Sequence, residues 1–135
     1  MPKRPERPRP STERIRQTAE VRVRETSLRQ VAYRIGVSPM GLKKFLDGAN
    51  PYEPNRRKLV DWFVREEAHA TGRVSDSTVA AMALGMVLRD LPTEVRTASV
   101  DSTVEFVEGL YARSQAPRPP WLDGLREQLA AEVEG

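Results

Sequence analysis

The sequence predicts an all-α fold, and three observations carry that prediction. Apolar residues recur at i, i+3 and i+4, helix start and stop signals bracket those stretches, and the short Val/Thr-rich runs fit a helical period better than strand alternation. No internal repeat is visible. The 135 residues are long enough for a small domain with an appended region, and they divide into a basic Pro-rich arm (residues 1–10), a helical domain (11–72) and an acidic helical region (73–135).

The opening ten residues are too rich in proline for a helix and too poor in apolar groups for a core, so a mobile arm is expected. Ser11 is expected to cap a helix from Thr12 to about Glu25, where Ile15, Ala19 and Val23 form an i, i+4, i+8 stripe. Ser27 with Gln30 three residues later forms a capping-box pattern, and Val31, Ala32 and Ile35 supply the buried face of a short helix. Gly36 stops that helix, since glycine takes the left-handed conformation a turn needs, and Val37 anchors the turn. Ser38 opens the next helix as N-cap, with Pro39 in the first helical position, where no backbone donor is required. Leu42, Phe45 and Leu46 face inward, Met40, Lys43 and Lys44 face outward, and Asp47 and Gly48 close the unit. Two short helices joined by one tight turn make a helix-turn-helix pattern.

A loop from Ala49 to Glu53 leads to a helix from about Pro54 to Ala70, with Leu59, Val60, Trp62, Phe63 and Val64 as its apolar mass. Trp62 and Phe63 sit at packing spacing in mid-helix, which favours a core role over a platform for stacking bases. Thr71 and Gly72 mark the exit. A helix is then expected from about Asp76 to Asp90, with Val79, Met82, Ala83, Met86 and Val87 along one side and Ala81, Leu84, Leu88 and Leu91 along another. A helix apolar on both sides must be buried on both sides, and Ala81 and Gly85, four apart, permit a close neighbour. This is either the centre of a second monomeric bundle or a dimer core, and the dimer core is the expectation. Pro92 begins a stretch from Thr93 to about Ser114, with Val100, Val104, Val107 and Tyr111 on one face and a break expected near Ser99. After a rigid turn at residues 115–120, Trp121, Leu122, Leu125, Leu129 and Val133 make a final amphipathic helix that covers the bundle or clasps a second subunit.

The net charge of +3 conceals a division. Residues 1–73 hold 17 Lys/Arg against 9 Asp/Glu, a net +8, whereas residues 74–135 hold 5 against 10, a net −5. A basic half that coincides with a helix-turn-helix is the footprint of phosphate binding. The acidic half reads as a solvated surface rather than an acidic mimic of nucleic acid. The chain has no cysteine and one histidine, His69, so no recognisable metal site can be assembled, and His69 reads as a favourable charge near a helix C-terminus. No Gly-x-Ser-x-Gly elbow or phosphate-cradling glycine loop is present, so no enzyme, catalytic residue or cofactor is expected. No signal peptide is visible, and the longest apolar run, Val79 to Leu88, falls short of the ~18 residues of a membrane span. The expectation is a soluble cytoplasmic protein, associated with the nucleoid when bound to DNA.

Over residues 11–70 the chain resembles the lambda-repressor-like (Xre/Cro) DNA-binding family. The resemblance rests on a small residue inside the first motif helix with a glycine four later (Ala32, Gly36), on the buried positions Val37, Leu42 and Phe45, and on the terminal Gly48 followed by Pro51. It implies that the second motif helix enters the major groove of double-stranded DNA, which makes Ser38, Pro39, Met40, Lys43 and Lys44 the groove-facing positions. The chain departs from the family where polar side chains are common: Pro39 has no side-chain donor, Met40 offers only apolar contact such as a thymine methyl, and Leu28 stands where a phosphate-binding Gln is frequent. Lys44 is therefore the leading base reader, through guanine O6/N7, with Lys43 or Arg34 on phosphates. Asn50, Tyr52, Asn55 and Arg56 supply further backbone contacts, while Lys3, Arg4, Arg7 and Arg9 of the arm either reach phosphates and the minor groove or remain a solvated tail.

The function this implies is a transcriptional regulator, a repressor that binds as a homodimer through residues 76–135. The alternatives are a DNA-binding accessory protein with little sequence preference, and a protein-interaction adaptor or antitoxin-like partner that uses the motif as scaffold.

Overall fold

The computed structural model describes residues 9–134, and among them the chain is all-helical: seven α-helices, one 3-10 turn and no strand. The helices are α1 (Pro10–Glu25), α2 (Leu28–Ile35), α3 (Pro39–Leu46), α4 (Glu53–Thr71), α5 (Ser77–Leu88), α6 (Thr93–Ser114) and α7 (Leu125–Val133). None is long and apolar enough to cross a membrane. The chain forms two compact units, which divide inside α4 between Phe63 and Val64.

In the first unit α1, α2 and α3 pack on one another around Ile15, Ala19, Val31, Ala32, Leu42 and Phe45, all buried. The local signals act at short range. Ser27 Oγ accepts the Gln30 amide at 3.1 Å, and Ser38 Oγ accepts the Gly41 amide at 3.0 Å, so α2 and α3 each have one otherwise orphaned N-terminal donor satisfied. Gly36 adopts φ 95°, and the amides of Gly36 and Val37 both reach the Ala32 carbonyl, at 2.9 and 3.0 Å. An added Cβ at Gly36 would meet nothing closer than Lys58 Cδ at 3.7 Å. Space is available there, so the backbone conformation alone opposes a side chain. Gly36→Ala is therefore expected to lower unfolding free energy by about 1–2 kcal/mol, read as a shift of the urea midpoint at unchanged m-value.

Ser11 does not cap α1. The N-cap is Arg9, without a side-chain cap bond, Pro10 takes the start of the helix, and Ser11 lies within the first turn, buried. Its hydroxyl oxygen accepts from a guanidinium of α4. The first unit's part of α4 buries Leu59, Val60, Trp62 and Phe63, with the Arg14 guanidinium 6.0 Å from the Phe63 ring centroid. These aromatics belong to the interior and present no face for stacking bases.

The second unit is built on α7. It packs against α5 and α6, and the 3-10 turn Pro120–Leu122 packs against α5. Ala80, Ala81, Val100, Val104, Leu122, Leu125, Leu129 and Val133 form the core, with Leu84, Leu88, Val107, Tyr111 and Trp121 packed around it. The side of α5 that carries Ala81, Leu84 and Leu88 is thus covered by the chain's own helices. The close neighbour that Gly85 admits is α7: an added Cβ would lie 3.1 Å from Glu132 Cγ.

Helix α6 runs unbroken through Ser99, whose hydroxyl donates to the Val95 carbonyl at 2.6 Å and so stays inside the helical turn. The final helix starts later than the apolar spacing suggests. Trp121 and Leu122 sit on the 3-10 turn, Gly124 takes φ 81°, and α7 proper begins at Leu125. The left-handed glycine redirects the chain, which lets Leu122 and Leu125 both enter the core.

Candidate nucleic-acid interface

Helix α3 has eight residues and two unlike faces. Leu42 and Phe45 are buried, whereas Pro39, Met40, Lys43 and Lys44 are exposed, Met40 by 63%. At 100° per residue the last three fall on one arc away from the buried pair. The sequence thus dictates which side of α3 is presented, because only one register buries Leu42 and Phe45 together. Ser38 is exposed at the head of this helix, with its oxygen accepting the cap bond and its hydroxyl proton left to donate.

The residues after α3 extend this surface. Lys44, Asn50, Tyr52 and Asn55 border one groove of about 270 Å³, floored by Leu42 and Phe45 among others. Gly41 keeps it open: an added Cβ would stand 3.1 Å from Ser38 Oγ and 3.9 Å from Asn55 Nδ2. Tyr52 is 66% exposed at the rim, and Asn55 is half-buried. Arg34 is exposed in the last turn of α2, on the outward side that also carries Arg29 and Tyr33, the latter 86% exposed. Tyr33 lies outside the Val31, Ala32, Ile35 stripe, so its exposure was legible in the spacing, although that reading did not single it out.

Arg56 does not belong to this surface. It is 6% exposed, its Nη1 donates to Thr12 Oγ1 at 2.6 Å, and its Nη2 donates to Ser11 Oγ at 2.7 Å. The reason lies in its register, since Arg56, Leu59, Val60 and Phe63 follow i, i+3, i+4, i+7 and share the buried face of α4. Arg56 ties α4 to the first turn of α1 and is withdrawn from the set of backbone contacts. Of the arm cations, Arg9 is partly buried and pairs with Glu53 at 3.5 Å. Lys3, Arg4 and Arg7 lie outside the described residues.

Two further cations organise the site from behind. Arg16 on α1 is 9% exposed; its Nε donates to the Phe45 carbonyl at 2.7 Å and its Nη2 to the Ala49 carbonyl at 3.3 Å. The guanidinium also lies 4.8 Å from the Phe45 ring centroid and pairs with Glu13. It caps the C-terminus of α3 and holds the start of the following loop, where backbone carbonyls carry the negative end of the helix dipole. Lys58 Nζ donates to the Gly36 carbonyl at 3.1 Å and braces the turn between α2 and α3. Neither role follows from spacing along the chain, because the partners are 29 to 33 residues from Arg16 and 22 from Lys58. For Arg16 there is one clue: with Thr12, Ile15 and Ala19 it shares a helical face that is otherwise small or apolar.

Among the described residues no cluster of His, Cys, Asp and Glu could hold a metal ion. In comparison with known proteins, the chain matches no family model, no curated protein and no solved structure.

Proposed function

We propose that the chain is a sequence-specific DNA-binding transcriptional regulator, acting as a homodimeric repressor through a helix-turn-helix formed by α2 and α3. The observation that carries this reading is the outward arc of α3, where Met40, Lys43 and Lys44 are exposed beside a groove rimmed by Asn50, Tyr52 and Asn55. A short helix with cations on its outer face, in a half of the chain that carries +8, has the shape and charge to enter a major groove. In this reading Lys44 addresses guanine O6/N7, Lys43 and Arg34 take phosphates, and Ser38, Asn50, Tyr52 and Asn55 hydrogen-bond the flanking backbone. The arm, with Lys3, Arg4, Arg7 and Arg9, adds salt-dependent affinity.

Sequencing the DNA fragments selected by the purified protein tests the proposal. Two half-sites about one helical turn apart are expected. Lys44→Ala should lower affinity for the selected site by about 1–3 kcal/mol and relax preference at one base pair. Equal loss on every sequence would reassign Lys44 to phosphate.

One observation favours a second reading. Pro39 and the 63%-exposed Met40 offer no hydrogen bond to a base, which suits an accessory protein with little sequence preference, reading DNA shape instead. Selected fragments without a common motif, together with a steep salt slope, would establish that alternative. A flat salt slope would instead point to the protein-interaction adaptor.

A further inference from the structure

We propose that two copies of this chain associate through the outer face of α6, packed antiparallel about a two-fold axis that crosses this face at the level of Val104. The inference rests on the dimer reading above and names the surface that serves it. Helix α6 has two apolar sides. Val100 and Val104 are buried in the second unit's core, with Val107 and Tyr111 packed around them. On the opposite side Val95, Phe106 and Leu110 are 44%, 64% and 45% exposed. Phe106 and Leu110 stand 11 and 15 residues along from Val95, about 20° and 60° around the helix from it, so all three share one stripe. Ser99 and Ser102 fill the stripe between them, and no charged side chain interrupts it from Val95 to Leu110.

Two features select a second copy as the occupant. The first is size order. The stripe is small at Ser99 and Ser102 and large at Phe106 and Leu110, so a complementary helix must run the opposite way with the same order. The same helix turned by a two-fold axis at the level of Val104 does this, placing Phe106 over Ser102 and Leu110 over Ser99 of the other copy, as an isologous interface requires.

The second feature is charge. A two-fold axis brings identical flanks together, and an all-acidic flank would repel its own copy. Here Asp101 and Glu105 lie 3.3 and 4.0 Å from Arg126, and Glu108 lies 3.7 Å from Arg118. Each carboxylate of this flank is thus paired with a cation of its own chain, which lessens the repulsion that would otherwise keep a second copy away.

Light scattering on the full chain at micromolar concentration tests the surface. The unaltered protein is expected at dimer mass. Phe106→Glu should fall to monomer mass with unchanged helicity, whereas Val87→Glu, altered at a position 76% exposed on α5, should remain dimeric. The absence of cysteine makes the orientation measurable too. Val95 and Arg113 are 18 residues apart, roughly 27 Å along the helix. A short bismaleimide should therefore cross-link a mixture of Val95→Cys and Arg113→Cys chains but neither variant alone. A covalent dimer from Val95→Cys alone would mean parallel pairing and overturn the arrangement. A dimer that survives Phe106→Glu would overturn this surface and leave the dimer reading intact. A monomeric unaltered chain would overturn both, while fragments selected with a single half-site would still support DNA binding.

Discussion

Arg16→Met is expected to lower unfolding free energy by about 2–4 kcal/mol and, on the DNA-binding function proposed above, to weaken DNA binding by roughly tenfold, although Arg16 lies away from the exposed arc of α3. Its bond to the Phe45 carbonyl is short and buried, and a hydrogen bond from a charged donor contributes about 1.5–3 kcal/mol. Stacking over the Phe45 ring adds about 1 kcal/mol more. The ion pair with Glu13 adds little, because that carboxylate is 56% exposed and screened by solvent. Methionine fills much of the space and satisfies neither carbonyl. Arg16→Lys should recover only part of the loss, since an ammonium cannot reach both carbonyls with a planar fork. Stability is read from urea unfolding followed by circular dichroism, and affinity from DNA titration under conditions where the variant is fully folded. Lower stability with unchanged affinity of the folded protein would reduce Arg16 to a structural role. Lower affinity accompanied by a shallower salt slope would mean that the Asn50 and Tyr52 loop has lost the phosphate contacts proposed for it.

The second large effect concerns α7. Leu129→Ala should lower the stability of the second unit by about 2–5 kcal/mol, because Leu129 is fully buried in the core with Leu122, Leu125 and Val133. Helix α7 has nine residues, too few to hold a helix in water by propensity alone, so its structure depends on this packing. The tightness of the site limits how far the cavity can collapse: Gly85 of α5 already stands where an added Cβ would press on Glu132 at 3.1 Å. Thermal unfolding followed by circular dichroism would show an earlier loss of helical signal. A change below about 1 kcal/mol would mean that α5 and α7 close over the missing atoms.

What could be read along the chain follows the range of the forces involved. The caps at Ser27 and Ser38 and the left-handed turn at Gly36 act over three to five residues, so a local pattern suffices to place them. Burial on one face of α2 and α3 is equally legible, because Val31, Ala32, Ile35, Leu42 and Phe45 repeat at helical spacing. Local reading fails where two local signals compete. Ser11 has the chemistry of a cap, yet the helix starts at Pro10, two residues before the Thr12 start that such a cap would give. The spacing of Trp121 to Val133 looked like one helix, yet Gly124 turns the chain inside it.

The sequence by itself determined that the chain is helical, where the α2 and α3 boundaries fall, and that Met40, Lys43 and Lys44 face outward. Those outcomes depend on backbone conformation and on apolar periodicity, both of which are written in neighbouring residues. The tertiary structure alone decided the fate of the polar side chains and of the doubly apolar helix. Arg16 and Arg56 carry the same guanidinium as Arg34, and all three stand on helices. What separates them is whether a carbonyl or hydroxyl from a distant segment stands within reach once the helices pack. Likewise, Ala81, Leu84 and Leu88 require an apolar cover whatever supplies it, and only the folded chain selects α7 and the 3-10 turn for the task. Burial is a property of pairs of surfaces, and one strand of residues specifies only its own half of each pair.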